Sequence, residues 1–236
     1  MSNIDLSVVM FAFNEAENVG PVMEEALEYL RERTRSYQLI LVDDGSSDDT
    51  RARAEEVAAG DDSVQVISHA TNRGIGAALK TGYAAATLEW VTLLPADGQV
   101  APDQIDRFLE LREGHDLVIC HYPDRFREAD NLGRKVLSRG LRALTFAATG
   151  VSHRLDGAYL IHRDYLQRLS LQSDTFFLNL ELPIRAIRAG ARVAETTLHI
   201  RPRRAGSSKV LSWRRVADVS MEMGKLGWEL RVSHRG

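Results

Sequence analysis

Short apolar runs recur along the first half of the chain, each closed by turn-forming residues and followed by a stretch of helical periodicity. Leu6 to Ala12 is the first run, and Asn14-Glu15-Ala16-Glu17-Asn18 turns it into a helix that carries Val22, Leu27 and Leu30 to about Arg33. Tyr37 to Val42 and Val64 to Ser68 read as the next two strands, with a helix from Arg51 to Ala58 between them. An alanine-rich helix runs to Ala86 and Val91 to Leu94 is the fourth strand. Pro102 suits the first turn of a helix reaching about Arg112, and Asp116 to Ile119 is the fifth strand. Strands alternating with helices predict an α/β fold with a mainly parallel sheet.

After Tyr122 the rhythm loosens. Pro123 to Asn131 reads as a polar loop, Leu132 to Ala148 as a helix and Ala158 to Ile161 as a strand placed late in the sheet. Phe176 to Ala189 reads as helical despite Pro183, with Gly190 as a stop signal, and Val193 to Ile200 as a strand. Arg201 to Lys209 is basic and turn-rich.

The stretch with the most chemistry is Leu39 to Thr50. Leu39-Ile40-Leu41-Val42 reads as a buried parallel strand, and Asp43-Asp44-Gly45-Ser46 places a turn at its C-terminal edge, where open α/β sheets bind ligands. Asp48 or Asp49 is positioned to cap the helix that follows. An acidic edge suits a sugar hydroxyl, a base N–H or a metal ion, and repels a bare phosphate.

Composition narrows the classes. A chain of 236 residues with 44% apolar residues can bury one substantial core. The net charge of −3 argues against the basic field of many nucleic-acid binders, so no nucleic-acid partner is expected. Cys120 is the only cysteine and reads as a small core residue in a reducing, cytoplasmic setting. No apolar run approaches the roughly 20 residues a membrane span needs.

Taken together, Phe11 to Asn18, Val42 to Thr50, Asn72-Arg73-Gly74-Ile75-Gly76, Ala96-Asp97-Gly98-Gln99 and Arg203 to Lys209 resemble, in this order, the family 2 glycosyltransferases. The dolichol-phosphate or polyprenol-phosphate mannose synthase branch is the most similar. The resemblance implies a GT-A fold, a Rossmann-like three-layer sandwich, over residues 1–209, with 210–236 as a C-terminal amphipathic helix and tail. It also implies inverting transfer of a sugar from a GDP- or UDP-sugar to an acceptor, most readily a polyprenyl phosphate, with Mg2+ or Mn2+. A catalytically silent nucleotide-sugar-binding protein and a transferase to a soluble hydroxyl remain as alternatives.

Several roles follow from the resemblance alone. Phe11, Asn14, Glu15, Asp43, Asp44, Asn72, Gly74, Lys80, Ala96, Asp97, Gly98 and Lys209 fall in donor-binding slots, and Asp97, Glu181 and Arg203 in catalytic ones. Structural readings stand beside these: Asp43 and Asp44 as turn residues, Gly74 and Gly76 as helix-entry glycines, Glu181 as the i+4 partner of Arg185. The family's metal motif has two aspartates and a glutamine, whereas the matching slots here are Pro95, Asp97 and Gln99, so one carboxylate is missing. Asp97 and Gln99 are the remaining metal candidates. On the acceptor side Arg134 and Ser138 match the family pair and share a helix face. Cys120-His121-Tyr122 and His153 to Gly157 depart from the family pattern, which points to altered acceptor or sugar preference.

Val210 to Leu230 places Trp213, Val216, Val219, Met223, Leu226 and Leu230 near one helical face. That face suits a membrane surface at the inner leaflet, the chain's own core or a second copy in a homodimer.

Overall fold

The computed structural model describes residues 4–122, 132–155, 157–201 and 213–232, without the side chains of 132–139, 141 and 213–217. Its sheet has seven strands: β1 (Asp5–Ala12), β2 (Ser36–Asp43), β3 (Val64–Ser68), β4 (Trp90–Pro95), β5 (Leu117–His121), β6 (Tyr159–His162) and β7 (Val193–Thr197). The order is β3-β2-β1-β4-β6-β5-β7. Only β6 runs antiparallel, between β4 and β5, so the predicted mainly parallel mixed sheet is what forms.

Strand alternation sends each side chain to one of two layers. Val8, Met10, Leu39 and Leu41 face α1 (Val19–Arg33) and α2 (Thr50–Ala58), packing with Met23, Leu27, Leu30 and Ala54. Val9, Ile40, Val42 and Leu93 face the other side, where α3 (Ile75–Ala85) contributes Ala78, Leu79 and Tyr83. Both faces of β1 and β2 are covered, which is why their sequences are nearly continuous apolar runs. Cys120 is fully buried in the first layer, as its apolar neighbours imply.

Three expectations change. The helix expected from Pro102 to Arg112 is a 3-10 turn, Pro102–Ile105, followed by the single turn α4 (Asp106–Leu109). Ile105, Phe108 and Leu109 are its buried anchors, and Gly114 at φ 76° turns the chain into β5. The last expected strand stops at Thr197, beyond which the chain leaves β5 and forms a bridge between Ile200 and Val100. A short helix that the periodicity did not reveal, α6 (Arg163–Arg168), follows β6 directly.

The later helices are α5 (Leu132–Thr149), α7 (Leu178–Arg188) and α8 (Trp213–Val232). Pro183 does sit inside α7. The α8 face, for which lipid, the chain's own core and a second copy were all open, is turned inward in part: Met223 is 0% and Leu226 is 3% exposed, packed with Val151, Phe177, Leu180 and Ile184. Val219 and Leu230 flank the same cluster. The opposite face carries Met221, Trp228 and Val232, with Trp228 71% exposed. Among the described residues no helix is long and apolar enough to cross a membrane.

The close approach of α3 to the sheet depends on Gly82, where an added Cβ would lie 2.3 Å from Val9 Cγ1. Gly82→Ala must therefore push a helix off a close-packed strand, and we expect a loss of about 1–3 kcal/mol in urea unfolding, the usual cost of overpacking. A loss below about 0.5 kcal/mol, the scatter of neutral surface changes, would show that this contact is slack.

Candidate functional site

The turns after β1, β2, β3 and β4 gather at the C-terminal edge of the sheet, and backbone groups tie them together. Asn14, in the left-handed region at φ 53°, donates its N–H to Ser46 Oγ and accepts from Ser47 N–H at Oδ1, both at 2.9 Å. Glu15 N–H donates to Thr50 Oγ1 at 2.8 Å, and the Glu15 carboxylate accepts from Asn18 Nδ2 at 2.7 Å. The turn after β1 is thus stitched to the turn after β2.

The two consecutive aspartates have different surroundings. Asp43 is 2% exposed, and its Oδ1 accepts a bond of 3.2 Å from Ser46 N–H within its own turn. Asp44 reaches across to the turn after β3: its Oδ1 accepts from Arg73 N–H at 2.9 Å and lies 2.7 Å from His69 Nδ1, and its Oδ2 accepts from Gly74 N–H at 2.8 Å. His69 Nε2 lies 2.9 Å from Thr81 Oγ1 on α3, so both ring nitrogens are engaged. Gly45, at φ 71°, makes room for this crossing, since a Cβ there would lie 2.4 Å from the Thr71 carbonyl carbon. Asp44 therefore acts in this structure as a clasp between two loops.

Asp48 takes the capping role that was open between it and Asp49. Its Oδ1 accepts from Thr50 N–H at 3.0 Å and from the Thr50 hydroxyl, and its Oδ2 accepts from Ala16 N–H at 3.2 Å. Partial burial pushes its pKa up, but the bonds from the Thr50 hydroxyl and from the Thr50 and Ala16 amides outweigh it, leaving the carboxyl below its ordinary range.

Gly74 and Lys80, expected beside the donor, and the helix-entry glycine Gly76 lie against the 172–175 loop. Gly76 and Ala77 donate their N–H groups to Asp174 O at 2.9 and 3.3 Å, and a Cβ on Gly74 or Gly76 would come within 2.5 Å of this same loop. Lys80 Nζ lies 2.7 Å from Asp174 Oδ1 and donates to Gln172 O at 3.0 Å. Asn72 is exposed in the turn after β3. Phe11 and Ala96 are placed where β1 and β4 end, half-buried and buried respectively.

The remaining metal candidates sit on the turn after β4. Asp97 is half-buried and accepts from Gln99 N–H at 3.0 Å, with Gly98 at φ 71° closing the turn. Gln99 O in turn accepts from Arg201 N–H at 2.7 Å, which brings the entry to the basic segment alongside Asp97. Arg203 and Lys209 lie outside the described residues. Among the described residues no group of three or more His, Cys, Asp or Glu side chains is arranged to hold a metal ion. One carboxylate and one amide are an incomplete set for a hard divalent cation, and become sufficient only with donor diphosphate oxygens and water.

Glu181 is 2% exposed and engaged from two sides. Arg185 Nε donates to its Oε1 at 2.7 Å, and Ser173 N–H donates to its Oε2 at 2.8 Å, with Gln172 N–H close to both oxygens. The i+4 pair is therefore formed. On the acceptor side Arg134 and Ser138 lie on α5, their side chains outside the description. The two divergent stretches meet at Glu195, whose carboxylate lies 2.7 Å from His121 Nε2 and 2.6 Å from His153 Nδ1. Burial raises the Glu195 pKa and the two histidines lower it, for a net depression. His69, Thr81, Glu195 and the 172–175 loop were not singled out beforehand; only His69, a polar residue at a strand's C-terminal end, carried a local signal.

Comparison with known proteins follows the same outline. A model of the family described as "Glycosyl transferase family 2" matches residues 7–170. The undecaprenyl-phosphate 4-deoxy-4-formamido-L-arabinose transferase of Proteus mirabilis (strain HI4320) is 35% identical over 150 residues, covering 62% of this chain and 45% of the relative. The protein of the same name from Yersinia pestis (strain Pestoides F) is 30% identical over 211 residues, covering 86% of this chain and 62% of the relative. The chain thus spans about half to three-fifths of the length of these relatives. Among solved structures, glucosyl-3-phosphoglycerate synthase from Mycobacterium tuberculosis with Mn2+, UDP-glucose and phosphoglyceric acid has a TM-score of 0.70 at 21% identity, covering 96% of this chain and 79% of that one. The same enzyme with UDP gives 0.69 at 24% identity, covering 94% and 80%. These likenesses show the glycosyltransferase GT-A fold.

Two outcomes are expected from this geometry. Asp44→Asn turns an amide N–H2 toward donors that need an acceptor, and we expect at least about 2 kcal/mol lost in urea unfolding, the scale of buried donors left unmet. Asp48→Asn has a pH signature. A depressed folded-state pKa contributes stability above the unfolded value near 3.9 and loses it as pH falls through the folded value. The stability gap between parent and Asp48→Asn is therefore expected to be full at about pH 6 and to narrow below about pH 4, as read by denaturant titration across that range. A gap that widens on acidification would reverse the assigned sign.

Proposed function

Because the chain belongs to glycosyl transferase family 2, we propose that it transfers a sugar from a nucleotide-sugar donor to a polyprenyl phosphate acceptor. The observation that carries the reading is the acidic edge, buried Asp43 at the end of β2 and half-buried Asp97 after β4 on either side of β1, in a chain whose relatives bear the name of undecaprenyl-phosphate sugar transferases. Asp43 and Glu15 are suited to accept from ribose or base N–H and O–H donors. Asp97 and Gln99 would hold a divalent cation, Mg2+ or Mn2+, together with the donor. Bound there, the cation supplies neutralisation of the diphosphate charge as the leaving group departs. Arg203 and Lys209 follow the segment stitched to Gln99 and are suited to the same charge.

In the reaction, an acceptor phosphate oxygen forms the new bond to the anomeric carbon as its bond to the nucleoside diphosphate breaks, inverting that carbon. An ionised phosphate needs no general base. Glu181, with both oxygens engaged, supports a phosphate acceptor over a hydroxyl one. A lipid-borne acceptor brings the protein to a membrane surface, and the outward face of α8 with Met221, Trp228 and Val232 is the side we assign to it, flanked by exposed Lys225 and Arg231.

The test is turnover with undecaprenyl phosphate in anionic vesicles and a panel of UDP- and GDP-sugars, with Mn2+ or Mg2+. Asp97→Ala is expected to lower kcat/KM by about 100-fold or more, the scale of a lost transition-state charge contact. Trp228→Glu is expected to weaken sedimentation with vesicles at low salt. Nucleotide binding without any transfer would favour the silent binding protein, for which the missing carboxylate at Pro95 already speaks, and turnover undiminished in Asp97→Ala would remove that residue from the reaction.

A further inference from the structure

We infer that Glu222, on the C-terminal helix α8, is a positioning residue for the donor pocket, an inference that rests on the donor reading above. The start of α3 lies beside the Asp44 clasp, because Gly74 N–H is one of that carboxylate's donors. From its other side α3 is held by the 172–175 loop, through the bonds from Gly76 and Ala77 to Asp174 O and the pair between Lys80 and Asp174. Neither Gly74 nor Gly76 has room for a Cβ against this loop. A shift of the loop is therefore a shift of the helix start.

What fixes the loop is one carboxylate of α8. Ser173 Oγ donates to Glu222 Oε2 at 2.5 Å, and Thr175 Oγ1 donates to Glu222 Oε1 at 2.7 Å. Each hydroxyl also accepts a backbone N–H, Thr175 N to Ser173 Oγ and Phe177 N to Thr175 Oγ1, both at 3.1 Å. The two hydroxyl oxygens lie 3.1 Å apart, and each carboxylate oxygen of Glu222 meets one of them. A second connection runs in parallel: Arg185 bridges Glu229 of α8, at 2.8 Å, to Glu181, which in turn accepts from the loop amide of Ser173. A continuous set of bonds thus leads from α8 through Ser173 and Thr175, Asp174, Gly76 and Gly74 to Asp44. Such a chain of discrete contacts can carry coupling between a helix and a distant pocket.

The experiment is calorimetric titration of UDP and of GDP, each with Mn2+, into the parent, Glu222→Ala, Glu222→Gln and Leu226→Ala. Leu226→Ala removes packing from α8 without touching Ser173 or Thr175 and serves as the control for destabilisation alone. For whichever nucleotide the parent binds, Glu222→Ala is expected to raise Kd about 10-fold, within the range seen for mutations along coupled networks. Glu222→Gln, which keeps one acceptor oxygen, is expected to fall between it and the parent, and Leu226→Ala to stay within about twofold. Amide exchange at Gly76 and Ala77, measured without nucleotide, is expected to quicken in Glu222→Ala and not in Leu226→Ala. Parent-like affinity in folded Glu222→Ala, or an equal loss in Leu226→Ala, overturns the inference. If the parent binds neither nucleotide, the donor reading fails, and amide exchange alone decides whether Glu222 positions α3: unchanged protection overturns it.

Discussion

The carboxylate of Asp44 is the constraint on which the sheet edge depends. A buried carboxylate must be met by donors or lose far more than it contributes, and here the donors are His69 and the amides of Arg73 and Gly74. Meeting them fixes the turn after β3 against the turn after β2 and sets where α3 begins. Gly45 then becomes necessary, because the clasp brings its backbone against Thr71 and Asn72 with no space for a side chain. The neighbouring Asp43 differs in that its carboxylate accepts from the amide of Ser46 within its own turn. Two adjacent carboxylates therefore divide the labour, one ordering the edge and one suited to a ligand.

The same economy of placement bears on the altered metal motif. Pro95 ends β4 in register with Phe11 of β1, and the carboxylate the family would place there is absent. Asp97 remains on a tight turn whose next residue, Gln99, is bonded to the backbone of Arg201. A cation held by a single protein carboxylate relies on the donor's own oxygens, so metal and donor are expected to bind as one unit, each poorly without the other.

Much of the fold was legible because buried parallel strands advertise themselves: Leu6 to Ala12 and Leu39 to Val42 are apolar on both faces, and the turn residues after them mark the edge. What failed to show has a common cause. The helix after Pro102 was read from a run of compatible residues, yet its fully buried apolar anchors end at Leu109 and the segment forms a 3-10 turn and a single α-helical turn. The partners of Asp44 lie 25 to 30 residues downstream, beyond any local pattern. The loop that meets Lys80 and the glycines at 74 and 76 comes almost a hundred residues later; Lys80 and Gln172 are 92 apart. Three destinations were open to the apolar face of α8, on which the side chains of Trp213 and Val216 lie outside the description; the core took Met223 and Leu226, a choice made by Val151, Phe177, Leu180 and Ile184 on other elements. Glu181 kept both of its readings until Arg185 and the 172–175 loop were seen around it.

The most direct measurement is amide hydrogen exchange at Arg73 and Gly74 in the protein without nucleotide. If Asp44 organises the edge before any ligand arrives, both amides are protected in the free protein and adding UDP or GDP with Mn2+ changes them little. Rapid exchange at both positions in the free protein, with protection appearing only on nucleotide addition, would contradict the account and return Asp44 to the ligand.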